Sequence, residues 1–393
     1  MSEIKQGYKQ TKVGIIPEDW EIVKLGKLTT VETGKTPLRS NKQFWDNGTI
    51  NWATTTEVNE TYIVSTNEKI TNQAVAELKM KILPINTILL AMYGQGKTRG
   101  KVALLRIEST INQAFASIKP NKNYSTNFIF NYLDKSYEKI RDLSHGSNQD
   151  NLNLDIVKAL QIPLPPLKEQ EKIAEILTTW DEAITKQTEL LEAKELLKIA
   201  LMQKLLSGEV RFGGFTDEWE EVRLGEIGNS FNGLSGKTGE DFGIGEAKYI
   251  TYKNIFDYSK IKLDIFENVQ ISNDEKQNLV QFGDIFFTVS SETPEEVGMS
   301  SVLLDNVSNT YLNSFCFGYR LNNFNTLDPY FARFYFRSFQ MRDKISRLAQ
   351  GSTRFNLSKN EIMKLKIKLP SLPEQQKIAE VLSLADDEIN LLK

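Results

Sequence analysis

Residues 165–212 read PPLKEQEKIAEILTTWDEAITKQTELLEAKELLKIALMQKLLSGEVRF, and this stretch decides the fold. It carries an apolar stripe at steps of four, three, four and seven residues, which is typical of a helix that packs against one partner helix. The residues of this stripe are Ile173, Leu177, Trp180, Ile184 and Leu191. Prolines at 165 and 166 exclude helix upstream, and Gly208 stands where a residue with positive φ ends a helix. The pattern predicts a helix from Glu169 to Leu206, about 57 Å long at about 1.5 Å per residue.

The C-terminus repeats the same wording as PSLPEQQKIAEVLSLADDEINLLK, residues 370–393. Its apolar stripe consists of Ile378, Leu382, Ala385, Ile389 and Leu392. Two other pairs of segments repeat: DWEIVKLGKL at Asp19 matches EWEEVRLGEI at Glu218, and GSNQDNLN at Gly146 matches GSTRFNLS at Gly351. Nearly equal offsets predict a duplicated domain.

The predicted fold class is α+β, with a globular mixed α/β domain followed by a long helix, twice over. The two helices are expected to pair as a coiled coil. The predicted boundaries are residues 1–162 for the first globular domain, 163–212 for the central helix, 213–368 for the second domain and 369–393 for a shortened C-terminal helix.

Composition excludes several classes of protein. The 393 residues are 40% hydrophobic, which suffices for cored domains. No apolar run reaches membrane length and the N-terminus lacks the apolar core of a signal peptide, so a cytoplasmic protein is expected. The single cysteine, Cys316, excludes disulfides and is expected to be buried, while the single histidine, His145, leaves little for histidine-based catalysis or metal binding.

Charge is distributed unevenly although the net charge is only −3. Residues 87–92 and 101–105 are predicted strands, and the loop between them, YGQGKTRG, is basic and glycine-rich. The matching loop of the second copy, SSETPEE at 290–296, is acidic and rich in hydroxyl groups. Two related scaffolds with unlike loops indicate two domains that read different ligands.

Two short motifs suggest other activities. Gly96-Lys97-Thr98 loosely matches a phosphate-binding P-loop, but that site needs a helix directly after it, whereas a strand is expected from Lys101. Asp328-Pro329-Tyr330 is one proline short of an amino-methyltransferase signature, and an N-cap followed by a first-turn proline explains it better, at the start of a helix predicted from Tyr330 to Leu348. No catalytic constellation remains.

The repeated blocks GS-x-x-x-NL followed by PLPPLKEQEKIAEIL and by LPSLPEQQKIAEVL, with TGKTPLRSNKQFWDNGTINWATTTEV at Thr33 and LMQKLLSGEV at Leu201, resemble the DNA specificity subunit of type I restriction-modification systems. The resemblance implies a non-catalytic, cytoplasmic, sequence-specific reader of double-stranded DNA with two target recognition domains, one for each half of a bipartite, asymmetric target. It implies that the two helices pair as an antiparallel coiled coil, space the domains and dock two methyltransferase subunits, with motor-nuclease subunits joining for restriction. No cofactor is expected in this chain; S-adenosylmethionine belongs to the methyltransferase partner, and ATP and Mg to the motor-nuclease partner.

Candidate DNA contacts follow from side-chain chemistry, because Arg and Lys bond guanine edges or phosphates and Gln bonds adenine. They are Lys35, Thr36, Arg39, Gln95, Lys97, Thr98, Arg99 and Lys101 in the first domain, and Lys237, Ser291, Thr293, Arg354 and Asn356 in the second. Turn stabilisation is the alternative role for several of them. A duplicated scaffold without DNA affinity and an enzyme remain alternative functions.

The C-terminal helix is short compared with the central one. The sequence therefore predicts that the end of the central helix around Leu197, Leu201 and Leu205 lacks a full partner within the chain. The N-terminal segment, a methyltransferase subunit or a second copy of the chain would cover it.

Overall fold

The computed structural model describes residues 4–59, 61–94, 97–143, 151–272 and 274–393. The chain forms two compact units, Met1–Ile184 (unit 1) and Thr185–Lys393 (unit 2). The predicted duplication of a mixed α/β domain followed by a helix is confirmed. The boundary between the units falls inside the central helix, and the predicted domain boundaries stay predictions. His145 and the start of the first Gly-Ser loop lie outside the described residues.

Unit 1 contains twelve strands and the first part of the central helix within the described residues. The strands are β1 Tyr8–Thr11, β2 Gly14–Pro17, β3 Glu21–Lys24, β4 Val31–Thr33, β5 Ile50–Ala53, β6 Tyr62–Ile63, β7 Glu68–Ile70, β8 Ile88–Ala91, β9 Val102–Leu105, β10 Thr110–Ile111, β11 Phe115–Ile118 and β12 Gln161–Leu164. The helices are α1 Leu25–Leu28, α2 Asn72–Glu77, α3 Thr126–Lys135, α4 Tyr137–Asp142, α5 Leu154–Ala159 and α6 Leu167–Ser207.

The main sheet of unit 1 has the order β4-β11-β8-β9-β6, with only β6 and β9 parallel. Its middle strands, β8, β9 and β11, are buried on both faces, so they read as unbroken apolar runs rather than as alternating patterns. A second sheet, β10-β5-β7, packs against it through Ala53 and Ile111, which share a core cluster with Leu89 of β8. The strand predictions at 87–92 and 101–105 are confirmed.

Unit 2 repeats this plan. Its strands are β13 Glu220–Arg223, β14 Gly228–Asn232, β15 Phe242–Ile250, β16 Glu267–Val269, β17 Ile285–Thr288, β18 Ser290–Ser291, β19 Ser300–Val302, β20 Thr310–Leu312, β21 Cys316–Leu321, β22 Phe355–Asn356 and β23 Lys366–Leu369. Its helices after α6 are α7 Leu224–Ile227, α8 Tyr252–Asp257, α9 Pro329–Tyr335, α10 Phe339–Ser346, α11 Lys359–Lys364 and α12 Leu372–Leu392.

The main sheet of unit 2, β14-β21-β17-β19, is antiparallel, and the sheet β16-β15-β20 lies beside it. Cys316 is buried at the start of β21, as predicted. The helix predicted from Tyr330 to Leu348 is in fact two helices, α9 and α10. Ser338 interrupts it, because its hydroxyl accepts the backbone N–H of Met341 and so begins a new helix as an N-cap. Asp328 caps α9 as predicted.

The repeated Glu-Gln pair explains how each long helix is attached to its domain. In unit 1, Gln170 accepts the backbone N–H of Ser125, which caps α3, at 2.9 Å. In unit 2, Gln375 accepts the backbone N–H of Asp328, which caps α9, also at 2.9 Å. Each glutamine also donates to the proline carbonyl five residues upstream. Both side chains are almost fully buried, so one motif fixes two helix starts in each copy.

The central helix α6 has 41 residues and ends, as predicted, before Gly208, whose φ is +75°. Within unit 2 its C-terminal half pairs antiparallel with α12: Gln187 donates to the carbonyl of Leu392, and Lys194 lies 2.7 Å from Glu388. Further along, Arg211 forms two bonds, of 2.9 and 2.7 Å, to the buried carboxylate of Glu374. These residues 187–211 and 372–393 are called the helix pair below.

The prediction that the central helix lacks a full partner around Leu197, Leu201 and Leu205 is wrong for Leu201 and Leu205, whereas Leu197 is 50% exposed. Leu205 and Leu206 are buried in the core of unit 2, and Leu201 packs against that core. The register of the pair is the reason, since α12 begins beside this end and runs back towards residue 187. Nearer the start of the helix, Leu177, Trp180 and Ile184 are 41, 66 and 61% exposed. Leu190, Leu196 and Ile199, further along, are also exposed. Within the described ranges, no helix is both long and apolar enough to cross a membrane.

Candidate nucleic-acid interface

Three loops of unit 1 emerge at one edge of its main sheet. Strand β11 pairs antiparallel with both β4 and β8, so that its first residue, Phe115, lies beside Ala91 at the end of β8 and close to Thr33 at the end of β4. The loops that follow β4 and β8 and the turn that precedes β11 therefore share this edge. We call residues 33–39, 92–94, 97–101 and 112–114 the loop edge of unit 1.

Unit 2 has the same edge. Strand β21 begins at Cys316 beside Thr288, the end of β17, and its next residue pairs with Asn232, the end of β14. Residues 232–241, 289–299 and 313–315 form the loop edge of unit 2. Polar groups from three chain segments converge there on loops, which is where binding residues are commonly found.

The backbone of the two edges is held by equivalent hydrogen bonds. In unit 1 the N–H of Lys35 donates to the carbonyl of Ile111 at 3.0 Å, and in unit 2 the N–H of Leu234 donates to the carbonyl of Leu312 at 2.8 Å. A glycine precedes each donor because the backbone approaches a carbonyl closely. A Cβ at Gly34 would lie 1.8 Å from the oxygen of Ile111, and one at Gly233 would lie 2.0 Å from the oxygen of Asn313.

The long loop is anchored in the same way in both units. Met92 accepts the N–H of Leu152 at 3.0 Å, and Val289 accepts the N–H of Leu357 at 2.8 Å, which ties each loop to the chain after the Gly-Ser segment. Each loop then turns into its next strand through a glycine with positive φ, +89° at 100 and +66° at 298.

A helix supports the backbone of each long loop, the one between β8 and β9 in unit 1 and the one between β17 and β19 in unit 2. The hydroxyl of Tyr137 in α4 donates to the carbonyl of Lys97 at 2.8 Å. In unit 2, Arg342 of α10 donates to three loop carbonyls, those of Glu295, Val297 and Gly298. Burial lowers the pKa of this arginine to about 10, which still leaves it charged near neutral pH. Both loops are therefore fixed through their backbone, so that side chains can change without loss of the support.

The predicted residues Lys35 and Thr36 lie on the loop edge of unit 1. The hydroxyl of Thr36 donates to the side-chain oxygen of Gln113, and the ammonium of Lys35 donates to the carbonyl of Leu78 at 2.7 Å. Both residues are exposed. The P-loop alternative meets the expected obstacle, since strand β9 rather than a helix follows Thr98.

Arg39 is held by several partners. Its guanidinium lies over Trp45, 4.0 Å from the ring centroid, and forms two hydrogen bonds to Glu68, one of 2.8 Å. This ion pair lowers the pKa of Glu68. The indole N–H of Trp52 donates to the carbonyl of Lys35, which connects this cluster to the loop edge. The arginine side chain is still 56% exposed, so it is oriented but accessible.

The remaining predicted residues of unit 1 lie in the basic loop. Lys97 is exposed, whereas Thr98, Arg99 and Lys101 are half-buried. Gln95 lies outside the described residues. The loop therefore presents cationic groups beside the turn at 112–114, because Met92 at its start donates its N–H to the carbonyl of Ala114.

Four of the predicted residues of unit 2 come together. Strand β18, with Ser291, pairs with β22, which contains Asn356, and Arg354 and Thr293 are exposed beside them. Ser291 donates to the carboxylate of Glu296 at 2.9 Å. Asn356 donates weakly, at 3.4 Å, to the carbonyl of Arg354, in keeping with a turn-stabilising role. This edge therefore combines the carboxylate of Glu296 and hydroxyl groups with an exposed cation, Arg354, in contrast to the basic loop of unit 1.

Lys237 is placed differently from the other four. Its ammonium forms an ion pair with Glu275 at 2.5 Å, and its side chain is only 4% exposed. The hydrogen bond from Lys237, followed by those from Gln277 and the backbone of Ser272, lowers the pKa of Glu275 to about 2. A contact between Lys237 and DNA would require this pair to open, so the structure favours a role in fixing the loop after β14.

Sequence reasoning missed the turn that precedes β11 and β21. The exposed residues there are Gln113 in unit 1 and Ser314 and Phe315 in unit 2. The signal lay in the repeat itself, because Ile-Asn-Gln at 111–113 matches Leu-Asn-Ser at 312–314 with an offset of 201 (313 minus 112). Only the strand pairing brings these residues to the loop edge.

Comparison with known proteins agrees with this duplicated plan. The family described as type I restriction modification DNA specificity domain matches residues 17–195 and again residues 216–393. The MjaIX specificity subunit of a type I restriction enzyme from Methanocaldococcus jannaschii is 31% identical over 314 residues, covering 75% of this chain and 72% of that protein.

Solved structures share the fold. The S subunit of a type I restriction-modification system from M. genitalium aligns with a TM-score of 0.54 at 17% identity, covering 95% of this chain and 91% of the other. The HsdS subunit from Thermoanaerobacter tengcongensis aligns with a TM-score of 0.52 at 19% identity, covering 96 and 91%. At these identities the likeness concerns the fold.

Proposed function

Because the chain belongs to the type I restriction-modification DNA specificity domain family, with two copies of that domain, we propose that it reads a bipartite, asymmetric DNA target for such a system and catalyses no step itself. Each domain reads one half-site through its loop edge. The observation that carries this proposal is the pair of loop edges, which share their backbone hydrogen bonds and differ in side-chain chemistry.

The loop chemistry supports two unlike half-sites. The basic loop of unit 1 offers Lys97 and Arg99, which suit the acceptor atoms of guanine and the phosphates. The corresponding loop of unit 2 offers Glu292 and Glu295, both exposed, and a carboxylate accepts from the amino group of cytosine. A target read by two such edges is not a palindrome.

The helices would set the spacing between the half-sites. The central helix is about 60 Å long at about 1.5 Å per residue, and ion pairs from Lys194 to Glu388 and from Lys198 to Asp386 join its C-terminal half to α12. Half-sites on one face of DNA recur at about 34 Å, one helical turn. A stiff element fixes the number of unread base pairs between them.

The exposed apolar residues near the start of the central helix fit a docking frame for methyltransferase subunits. Leu177, Trp180 and Ile184 follow one another along one face, and tryptophan is common at the centre of protein interfaces. The methyltransferase would modify an adenine with S-adenosylmethionine after flipping it from the stack. Motor-nuclease subunits, with ATP and Mg, would cleave DNA.

The test is to co-express the chain with its cognate methyltransferase subunit and to map modified adenines on genomic DNA. A split motif with two unlike halves and a fixed gap is the expected result. A continuous motif would contradict the division of labour between the domains. A stable complex that neither methylates nor binds DNA specifically would favour a scaffold without DNA affinity.

A further inference from the structure

The turns that precede β11 and β21 project from the middle of each loop edge. They consist of Asn112 to Ala114 in unit 1 and of Asn313 to Phe315 in unit 2, and we call them the apex turns. Each apex turn joins a strand of the smaller sheet, β10 or β20, to a strand of the main sheet. Its position is therefore determined by both sheets of its unit.

The asparagine of each apex turn makes the same pair of bonds. The N–H of Asn112 donates to the carbonyl of Ala53 at 3.0 Å, and its side-chain oxygen accepts the N–H of Ala114 at 3.0 Å. The corresponding bonds of Asn313, to Ile250 and from Phe315, are 3.1 and 2.8 Å long. Such a turn keeps its shape without help from the side chains that follow the asparagine.

Those following side chains point to a role outside the fold. Gln113 is exposed, and its oxygen accepts the hydroxyl of Thr36, which restricts the orientation of the amide. Phe315 is 67% exposed, although the equivalent residue of unit 1 is a buried alanine, Ala114. The turn thus does not need a phenyl ring for its backbone, and the ring gains little from burial within its own unit.

We infer that the apex turns are base-reading elements, which deepens the proposed function and rests on it. Gln113 reads an adenine in the half-site of unit 1, since its amide can donate to N7 while its oxygen, with one lone pair left, accepts from N6. Phe315 reads a thymine in the half-site of unit 2 by contact with the 5-methyl group. A phenyl ring cannot hydrogen-bond to a phosphate, so its contribution has to come from contact with a base, and the thymine methyl is the apolar group that the major groove presents.

Base analogues test these two contacts atom by atom. Affinity is measured by fluorescence anisotropy for the complex with the methyltransferase, on duplexes in which one base of the mapped motif is altered. In the half-site read by unit 1, 7-deazaadenine lacks the N7 acceptor of adenine. Replacing the contacted adenine by it should weaken binding about 5-fold or more, which corresponds to about 1 kcal/mol. In the half-site read by unit 2, replacing the contacted thymine by deoxyuridine removes the 5-methyl group. This change should weaken binding about 4-fold, as expected for one buried methyl group.

The matching variants remove these penalties. Gln113→Ala should bind the 7-deaza and normal duplexes equally, and Phe315→Ala should do so for the deoxyuridine and normal duplexes. Phe315→Leu, which keeps an apolar side chain, should retain part of the thymine preference. Each variant should relax only its own half of the methylated motif.

Matched controls are available in each unit. Gln73→Ala alters an exposed glutamine on α2, and Phe339→Ala alters a phenylalanine on α10 that is 74% exposed. Neither should change the motif. The inference is wrong if both apex variants keep the wild-type motif and the wild-type analogue penalties, or if they weaken binding to all sequences equally. Failure of the wild-type complex to methylate a split motif would instead refute the proposed function.

Discussion

Gly233→Ala should disrupt the loop edge of unit 2. The added Cβ would lie 2.0 Å from the carbonyl oxygen of Asn313, where ordinary contacts begin at about 3.4 Å, so the backbone has to move by about 1.4 Å. The three atoms nearest to this Cβ all belong to the backbone of Leu312 and Asn313, so no flexible side chain can move aside instead. The movement breaks the 2.8 Å bond from Leu234 to Leu312 and displaces the apex turn.

The expected cost follows from two contributions. Overpacking at a tight site costs about 1–3 kcal/mol, and a buried hydrogen bond left unmade costs about 1–3 kcal/mol. The free energy of unfolding of unit 2 should therefore fall by roughly 2–6 kcal/mol. At about 2–4 °C per kcal/mol for a domain of this size, its melting temperature should drop by roughly 4–24 °C.

Differential scanning calorimetry measures the effect, and Gly239→Ala serves as the control. A Cβ at Gly239 meets nothing within 4 Å, so this change should be neutral or slightly stabilising through the unfolded state. If enough Gly233→Ala protein folds, the methylated motif should relax in one half only. A melting temperature within about 1 °C of the wild type would refute the argument from close approach.

Three further changes test other parts of the chain. Lys97→Ala should weaken DNA binding by the methyltransferase complex for all sequences alike and reduce the slope of log affinity against log salt by about one, as measured by salt titration; an unchanged slope removes Lys97 from the interface. Trp180→Ala should lower the amount of methyltransferase that co-purifies without changing the melting temperature, since this side chain is 66% exposed; unchanged co-purification argues against docking there. Lys237→Met should raise the pKa of Glu275 from about 2 towards its ordinary value, as followed by carboxyl NMR. Because the folded pKa is the lower one, the wild type loses this contribution to stability as pH falls from about 4.5 to about 2. The variant should lose only the part due to Lys237, since the bonds from Gln277 and Ser272 remain.

Local signals in the sequence predicted much of the fold. The prolines before residue 167 and Gly208 after residue 207 mark the ends of the central helix because their backbone preferences act on the adjacent residues alone. The break between α9 and α10 at Ser338 was missed, since a serine can also lie inside a helix. Only the structure shows that its hydroxyl accepts the backbone N–H of Met341 and so caps a new helix. Likewise, the register of the helix pair decides which end of the central helix is covered, and a repeating apolar stripe does not show which turns of the two helices lie side by side.

The candidate site depends on pairings between distant residues. Lys237 reads as a free cation in the sequence, but Glu275, 38 residues later, neutralises it. Gln113 reads as an ordinary loop residue until β11 pairs with β4 and β8 and brings it to Thr36, 77 residues away. Composition and spacing cannot reveal such pairs, because they arise from sheet register.

Under the proposed function, the two loop edges would let one scaffold serve two half-sites. Their shared supports are made by backbone N–H and carbonyl groups, as in the bonds from Lys35 to Ile111 and from Leu234 to Leu312. Bonds of this kind do not depend on which side chain follows, apart from the glycine that permits the close approach at 34 and 233. A change at residue 113, 314 or 315 therefore alters the chemistry offered to DNA at little cost in stability, whereas a change at either glycine alters the support itself. Among related chains that read different DNA targets, amino-acid differences should for that reason concentrate at the apex turns and the long loops.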